Sequence, residues 1–155
     1  MKRTGSNRRD KARELPRATA AGIVAAMAMT GMRVVTTQLG LVEEAPPEAV
    51  MKKKASPLLR AIPKRHRRAF VELAHWTYGA VGGVAFGVVP PNIRRHKWAG
   101  PVYGVLTWTL YEAGIAPALG LEQARHSRIA ERFALALDHI LYGEIVAGSR
   151  LTPTA

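Results

Sequence analysis

The stretch LAHWTYGAVGGVAFGVVPPNI, residues 73–93, decides how this chain folds. Its twenty-one residues carry no formal charge, and a run of this length can cross a bilayer as a helix. Gly79, Gly83 and Gly87 recur every four residues and therefore share one face of that helix. Because a flat glycine face lets a second helix approach closely in a membrane, the stretch predicts a membrane-spanning helix with a packed partner.

The charged residues of the chain are segregated into blocks. The mean hydropathy of -0.03 and the 22% of charged residues are typical of a soluble protein. However, residues 2–17 hold seven Lys or Arg and residues 52–68 hold eight, with apolar runs between the blocks. The net charge of +12 also fits a soluble basic protein that binds nucleic-acid phosphates. That alternative leaves the uncharged run unexplained, so we favour a membrane protein with no nucleic-acid partner.

The apolar runs predict four helices of membrane-spanning length. We expect them at about residues 18–39, 68–89, 98–119 and 127–147, between a basic N-terminal tail (1–17) and a C-terminal tail (148–155). Gly40 ends the first helix, and the connection 40–67 is amphipathic and basic, as in segments that lie on a membrane surface. The basic start and the apolar run after it also resemble a cleaved secretory signal, but the run is long enough that we favour an uncleaved span.

A short motif occurs twice and indicates an internal repeat. His75 to Gly79 and His139 to Gly143 both read H-x-x-Y-G, and Ala-Gly pairs recur at Gly22 and Gly100. A two-helix unit repeated in tandem places both copies in the same orientation, with a pseudo-twofold axis along the membrane normal. The sequence therefore predicts an all-α fold, a four-helix transmembrane bundle built from two tandem helical hairpins.

Two sets of residues are expected at the helix contacts. The packing glycines are Gly22, Gly79, Gly83, Gly87, Gly100, Gly104 and Gly143, and the intramembrane polar cluster is Arg33, His75, Tyr78, Glu112, Asp138, His139 and Tyr142. The repeat places Arg33 and Glu112 at equivalent depths, and a lone charge in a bilayer costs about 2.5–3.5 kcal/mol, so we predict an ion pair between them. Alternatively, Arg33 extends to an interface.

The sequence offers no basis for an enzyme. There is no cysteine, and no helix carries the H-x-x-x-H or H-E-x-x-H spacing of a metal site. The glycines lack the Lys-Ser or Lys-Thr that completes a phosphate loop, and no serine lies in a nucleophile-elbow context. We therefore predict no catalytic residue, no metal and no cofactor. The histidines and tyrosines either fix helix packing through hydrogen bonds or handle protons or ions.

The third helix carries a family resemblance. Trp98, Gly100 and Gly104, the segment Ala116-Pro-Ala-Leu-Gly-Leu121, and the His-led second and fourth helices resemble the YagU-like group of small bacterial inner-membrane proteins of unassigned activity. The similarity covers about residues 18–147. It implies a helical, multi-pass protein of the cell inner membrane and supplies no catalytic residue.

These observations leave two functions open for a membrane protein. The first is a structural or accessory membrane component that associates with a second copy or with another membrane protein through its glycine faces. The second is a small carrier or proton-conducting element that uses the polar cluster. In either case the basic tail and the connection 40–67 are expected to bind anionic lipid head groups.

Overall fold

The computed structural model describes residues 3–41, 56–118 and 129–148, which are mostly helical and contain no strand. The helices are α1 (Arg3–Gln38), α2 (Ser56–Ala61), α3 (Lys64–Val88), α4 (Pro91–Arg94), α5 (Ala99–Thr109), α6 (Ala116–Ala118) and α7 (Ile129–Gly148), with a π-helical segment (Leu110–Ile115) between α5 and α6. The all-α prediction is therefore confirmed for these residues. Residues 42–55 of the predicted basic connection and residues 149–155 of the C-terminal tail lie outside them.

Helix α1 starts earlier than the sequence suggests and ends where the sequence predicts. It begins at Arg3 and contains Pro16, although a proline removes one hydrogen bond from a helix interior. At its other end Gly40 has a φ of 68°. The Gly40 N–H donates to Thr37 O at 3.0 Å and the Leu41 N–H donates to Thr36 O at 2.9 Å. These two bonds form a Schellman motif, which confirms that Gly40 ends the helix.

Prolines mark both ends of α3, and another proline follows a widened turn between α5 and α6. Pro63 precedes the first turn of α3, and Val89 adopts an extended conformation after its last turn, as expected for a residue before a proline. After α5, the π-helical segment precedes Pro117, and the Ala116 N–H donates to Tyr111 O, five residues back. Since a proline ring clashes with the carbonyl four residues earlier in an α-helix, the wider π turn accommodates Pro117 without ending the helix.

The first hairpin, α1 and α3, is held by backbone-to-backbone contact at glycines. A Cβ atom added to Gly22 would overlap Gly79 O and lie 2.9 Å from the Cα of Gly83. Four residues away on both helices, a Cβ on Gly87 would lie 2.9 Å from the Cβ of Ala18. These contacts run in opposite directions along the two helices, which are therefore antiparallel.

The second hairpin, α5 and α7, repeats this arrangement. A Cβ atom on Gly100 would lie 3.0 Å from Gly143 O and 3.0 Å from the Cβ of Ala147. One turn later, a Cβ on Gly104 would lie 2.7 Å from the Cα of Ile140. Gly100 and Gly143 occupy the positions that Gly22 and Gly79 hold in the repeat, so the same pair of glycines is in contact in both halves.

The two hairpins join mainly through α1 and α7. One face of α7 is buried and includes Tyr142 and Val146, which pack with Ala25 and Met29 of α1. On the other side α3 and α5 meet through aromatic rings, with the centroids of Phe86 and Tyr103 4.9 Å apart. The larger interface between the hairpins therefore pairs the first helix of one half with the second helix of the other.

Candidate functional site

The predicted ion pair between Arg33 and Glu112 is wrong, because Arg33 pairs with Glu72 of α3. Arg33 Nη2 donates to Glu72 Oε1 at 2.6 Å, and the two side chains are only 11% and 14% exposed. Thr30 Oγ1 donates to Glu72 Oε2 at 2.9 Å, and Trp76 Nε1 donates to Thr30 Oγ1 at 3.3 Å. Both carboxylate oxygens of Glu72 are therefore engaged from α1.

Helix register explains why Glu72 is the partner. Arg33 lies eleven residues after Gly22 on α1, and Glu72 lies eleven residues before Gly83 on α3. Since Gly22 and Gly83 are in contact and the helices are antiparallel, equal steps bring Arg33 and Glu72 together. The position that the repeat relates to Arg33 instead lies in the π-helical segment after α5, which does not pack closely against α1.

Glu112 forms its own ion pair, with Arg132 of α7. Glu112 Oε1 lies 3.4 Å from Arg132 Nε, which is within ion-pair distance, although Oε1 accepts no hydrogen bond from the described residues. The acid belongs to the first helix of the second hairpin and the base to the second helix, the reverse of Arg33 and Glu72. Among the described residues, each half thus has an ion pair between its two long helical segments.

Two tyrosine hydroxyls connect the halves. Tyr142 of the second H-x-x-Y-G motif donates to the carbonyl oxygen of Gly79 in the first motif at 2.6 Å. Tyr103 of α5 donates to Gly82 O at 2.7 Å. Tyr78, the counterpart of Tyr142 in the repeat, is 52% exposed and takes no equivalent position. The two motif copies therefore serve different purposes, and Tyr103 and Arg132 were not predicted from the sequence.

Replacing Tyr142 with Phe should test the link between the halves. Because the variant loses one buried hydrogen bond, we expect it to be less stable by about 1 kcal/mol. The measurement is unfolding of the purified protein by titration with a denaturing detergent, followed by circular dichroism. Tyr78→Phe is the matched control and should unfold as the wild type does, and equal destabilisation of the two variants would contradict this role for Tyr142.

The remaining polar residues lie on the helices around Arg33. His139 Nδ1 lies 2.8 Å from Leu135 O on its own helix. Asp138 is 8% exposed, and its Oδ1, like Nε2 of His75, is buried without a hydrogen-bond partner among the described residues. Arg33 is within electrostatic range of both Asp138 and His75. Arg33 is therefore the charge shared by the polar groups of both halves.

A metal centre finds no support in the part of the chain that the structure describes. No group of three or more His, Cys, Asp or Glu side chains is close enough there to hold a metal ion. The polar residues instead form separate pairs between helices. Such pairs can fix helix packing. One of their side chains can also bind a proton, because a proton needs only a single oxygen or nitrogen lone pair.

Helix α1 contains a segment with the length and composition of a membrane span. Within the described residues it is the one such segment, Glu14–Gln38, of 25 residues, and 28% of its most apolar window is buried in the protein. Comparison with protein-family models, with curated proteins and with solved structures finds no match to this chain.

Proposed function

We propose that this chain is an integral membrane protein whose four long helical segments, including the continuous run from α5 to α6, cross a bilayer. In this proposal it acts as a structural or accessory component of the inner membrane, as the resemblance to the YagU-like group also implies. The observation that supports it most directly is the distribution of side chains, with small and polar residues between the helices and large apolar residues on the outside.

The outward-facing side chains are the large apolar ones. On the four long segments the most exposed include Val24, Leu73, Val81, Val88, Leu106, Leu110, Ile129, Phe133 and Leu137. By contrast, the tightest contacts between helices involve Gly22, Gly79, Gly104 and Gly143. Soluble monomers rarely expose apolar faces of this extent, because their contact with water is unfavourable. In lipid such faces are favourable, and close packing of small residues holds the helices together.

The soluble alternative, a basic nucleic-acid binder, requires the opposite distribution. A soluble helical protein buries its apolar stripe and exposes its polar face. Here the Arg33–Glu72 pair is between helices and Val81 is 63% exposed. We therefore keep the membrane proposal and do not propose a nucleic-acid partner.

Membrane fractionation with one matched pair of variants tests the proposal. The protein should stay with membranes through an alkaline carbonate wash and be released by detergent. Val81→Lys places a charge in the middle of a lipid-facing helix and should reduce the wash-resistant fraction. Leu39 follows the last residue of α1 and is 67% exposed. Leu39→Lys should leave the wash-resistant fraction unchanged, because a lysine there can extend its charged end to the membrane interface. A protein that stays monodisperse and helical in buffer without detergent would refute the proposal.

A second candidate is a small proton-conducting element, and the buried charges around Arg33 favour it. Its test is a pH-dye flux assay in proteoliposomes, comparing the wild type with Asp138→Asn. Flux that is lost in the variant would support conduction. Negligible flux in both would leave the structural role.

A further inference from the structure

We propose that Asp138 is a reversible proton-binding site inside the membrane domain, with Arg33 as its counter-charge. This inference rests on the proposed membrane location. It does not require conduction, because a proton can bind at a site that no flux passes through.

The position of Asp138 is the first step. It lies on the buried face of α7, one turn before Tyr142, whose hydroxyl donates to Gly79 O. The second helices of two tandem hairpins run in the same direction, so one turn before Gly79 on α3 is at the same level. That residue is His75. The two buried side-chain atoms without a hydrogen-bond partner on these helices, Asp138 Oδ1 and His75 Nε2, therefore lie at one level of the molecule.

The charges around Asp138 are the second step. Arg33 of α1 is within electrostatic range of Asp138. On α3, Glu72 pairs directly with the same arginine, and His75 is within its electrostatic range. From the π-helical segment after α5, Glu112 faces Arg132 instead. His139, next to Asp138 on α7, contacts Leu135 O and lies within electrostatic range of His75.

Among the described residues, one cation, Arg33, therefore faces two acids. Glu72 takes the direct contact with Arg33 and also accepts from Thr30, which leaves Asp138 with attraction at longer range. If both acids were ionised, the site would hold one excess negative charge. Because the site is buried, water would not solvate that charge. A proton on Asp138 neutralises that charge and supplies the donor that a carboxylate lacks.

A proton fits this site better than a metal cation does. Hard metal ions need six or more oxygen ligands, and the described residues offer no group of three acidic or histidine ligands. Arg33 also repels a cation that is not directly ligated. A proton requires one carboxylate oxygen, and Asp138 provides it.

The composition of the chain makes the site directly observable. Asp10 and Asp138 are its two aspartates, so Asp10→Asn leaves a single aspartate. With aspartate labelled by carbon-13 at the side-chain carboxyl, the purified variant in detergent gives one aspartate carboxyl signal by NMR. We expect this signal to move between its protonated and ionised positions within the pH range in which the protein stays folded. A signal that stays at one position throughout would overturn the proposal.

Two further substitutions, made in the Asp10→Asn background, test the role of Arg33. Glu72→Gln frees Arg33 to favour ionised Asp138, so proton binding should weaken about tenfold, as expected for one nearby unit charge. Glu144→Gln removes an exposed carboxylate from α7, the helix that carries Asp138. It should change the proton affinity of Asp138 less than about twofold. Equal effects of the two would overturn the assignment of Arg33. Because this experiment uses purified protein, its failure is distinct from a failure of membrane fractionation.

Discussion

Gly22→Leu is expected to destabilise the protein by about 3 kcal/mol or to prevent the first hairpin from forming. The first side-chain carbon would already overlap Gly79 O and approach the Cα of Gly83. Both neighbours are backbone atoms, which cannot turn away as a flexible side chain can. Helices α1 and α3 would have to separate, and the register that places Arg33 beside Glu72 would then be lost. Unfolding in a denaturing detergent, followed by circular dichroism, measures the effect.

Gly31→Leu is the matched control on the same helix. A Cβ atom at Gly31 meets nothing within 4 Å, and leucine is a better helix former than glycine by roughly 0.5–1 kcal/mol. The same substitution should therefore stabilise the protein slightly at Gly31 and destabilise it strongly at Gly22. If both variants unfold like the wild type, glycine contact does not hold the hairpin together.

The sequence predicts the helices well, because their signals are local. Apolar runs mark α3 and the helix from α5 to α6, Gly40 marks the end of α1, and the row Gly79, Gly83, Gly87 faces α1 as its spacing suggests. The extension of α1 to Arg3 has no local signal, since Pro16 is typical of a helix start. The π turn before Pro117 was also missed, because local sequence does not separate a proline that ends a helix from one that widens it.

Contacts between helices were harder to predict, because they depend on register. The repeat correctly groups Gly22 with Gly100 as equivalent positions, yet equivalence under a pseudo-twofold axis is not contact. Counting equal steps from the Gly22–Gly83 contact would have found Glu72. The Tyr103 bond to Gly82 O had no such signal, since it depends on how the two hairpins meet.

Breaking the Arg33–Glu72 pair should have the largest effect on stability. Glu72→Gln or Arg33→Gln leaves one charge buried between α1 and α3 without its direct ion-pair partner, and loss of one member of a buried pair costs about 3–5 kcal/mol. In Glu72→Gln, Thr30 can still donate a hydrogen bond to the side chain at position 72. The lost stability of that variant therefore reflects the unpaired charge of Arg33 more than a lost hydrogen bond. The same detergent-unfolding measurement reports it.

The double variant distinguishes this pair from the one the repeat suggests. Arg33→Gln combined with Glu72→Gln leaves no unpaired charge at either position, so it should be more stable than the sum of the single losses implies, with a coupling energy of about 1–3 kcal/mol. Arg33→Gln combined with Glu112→Gln should be additive within about 0.5 kcal/mol, because Glu112 faces Arg132. Coupling to Glu112 with none to Glu72 would mean that α1 packs against a different helix, and the antiparallel register built on Gly22 and Gly83 would have to be abandoned.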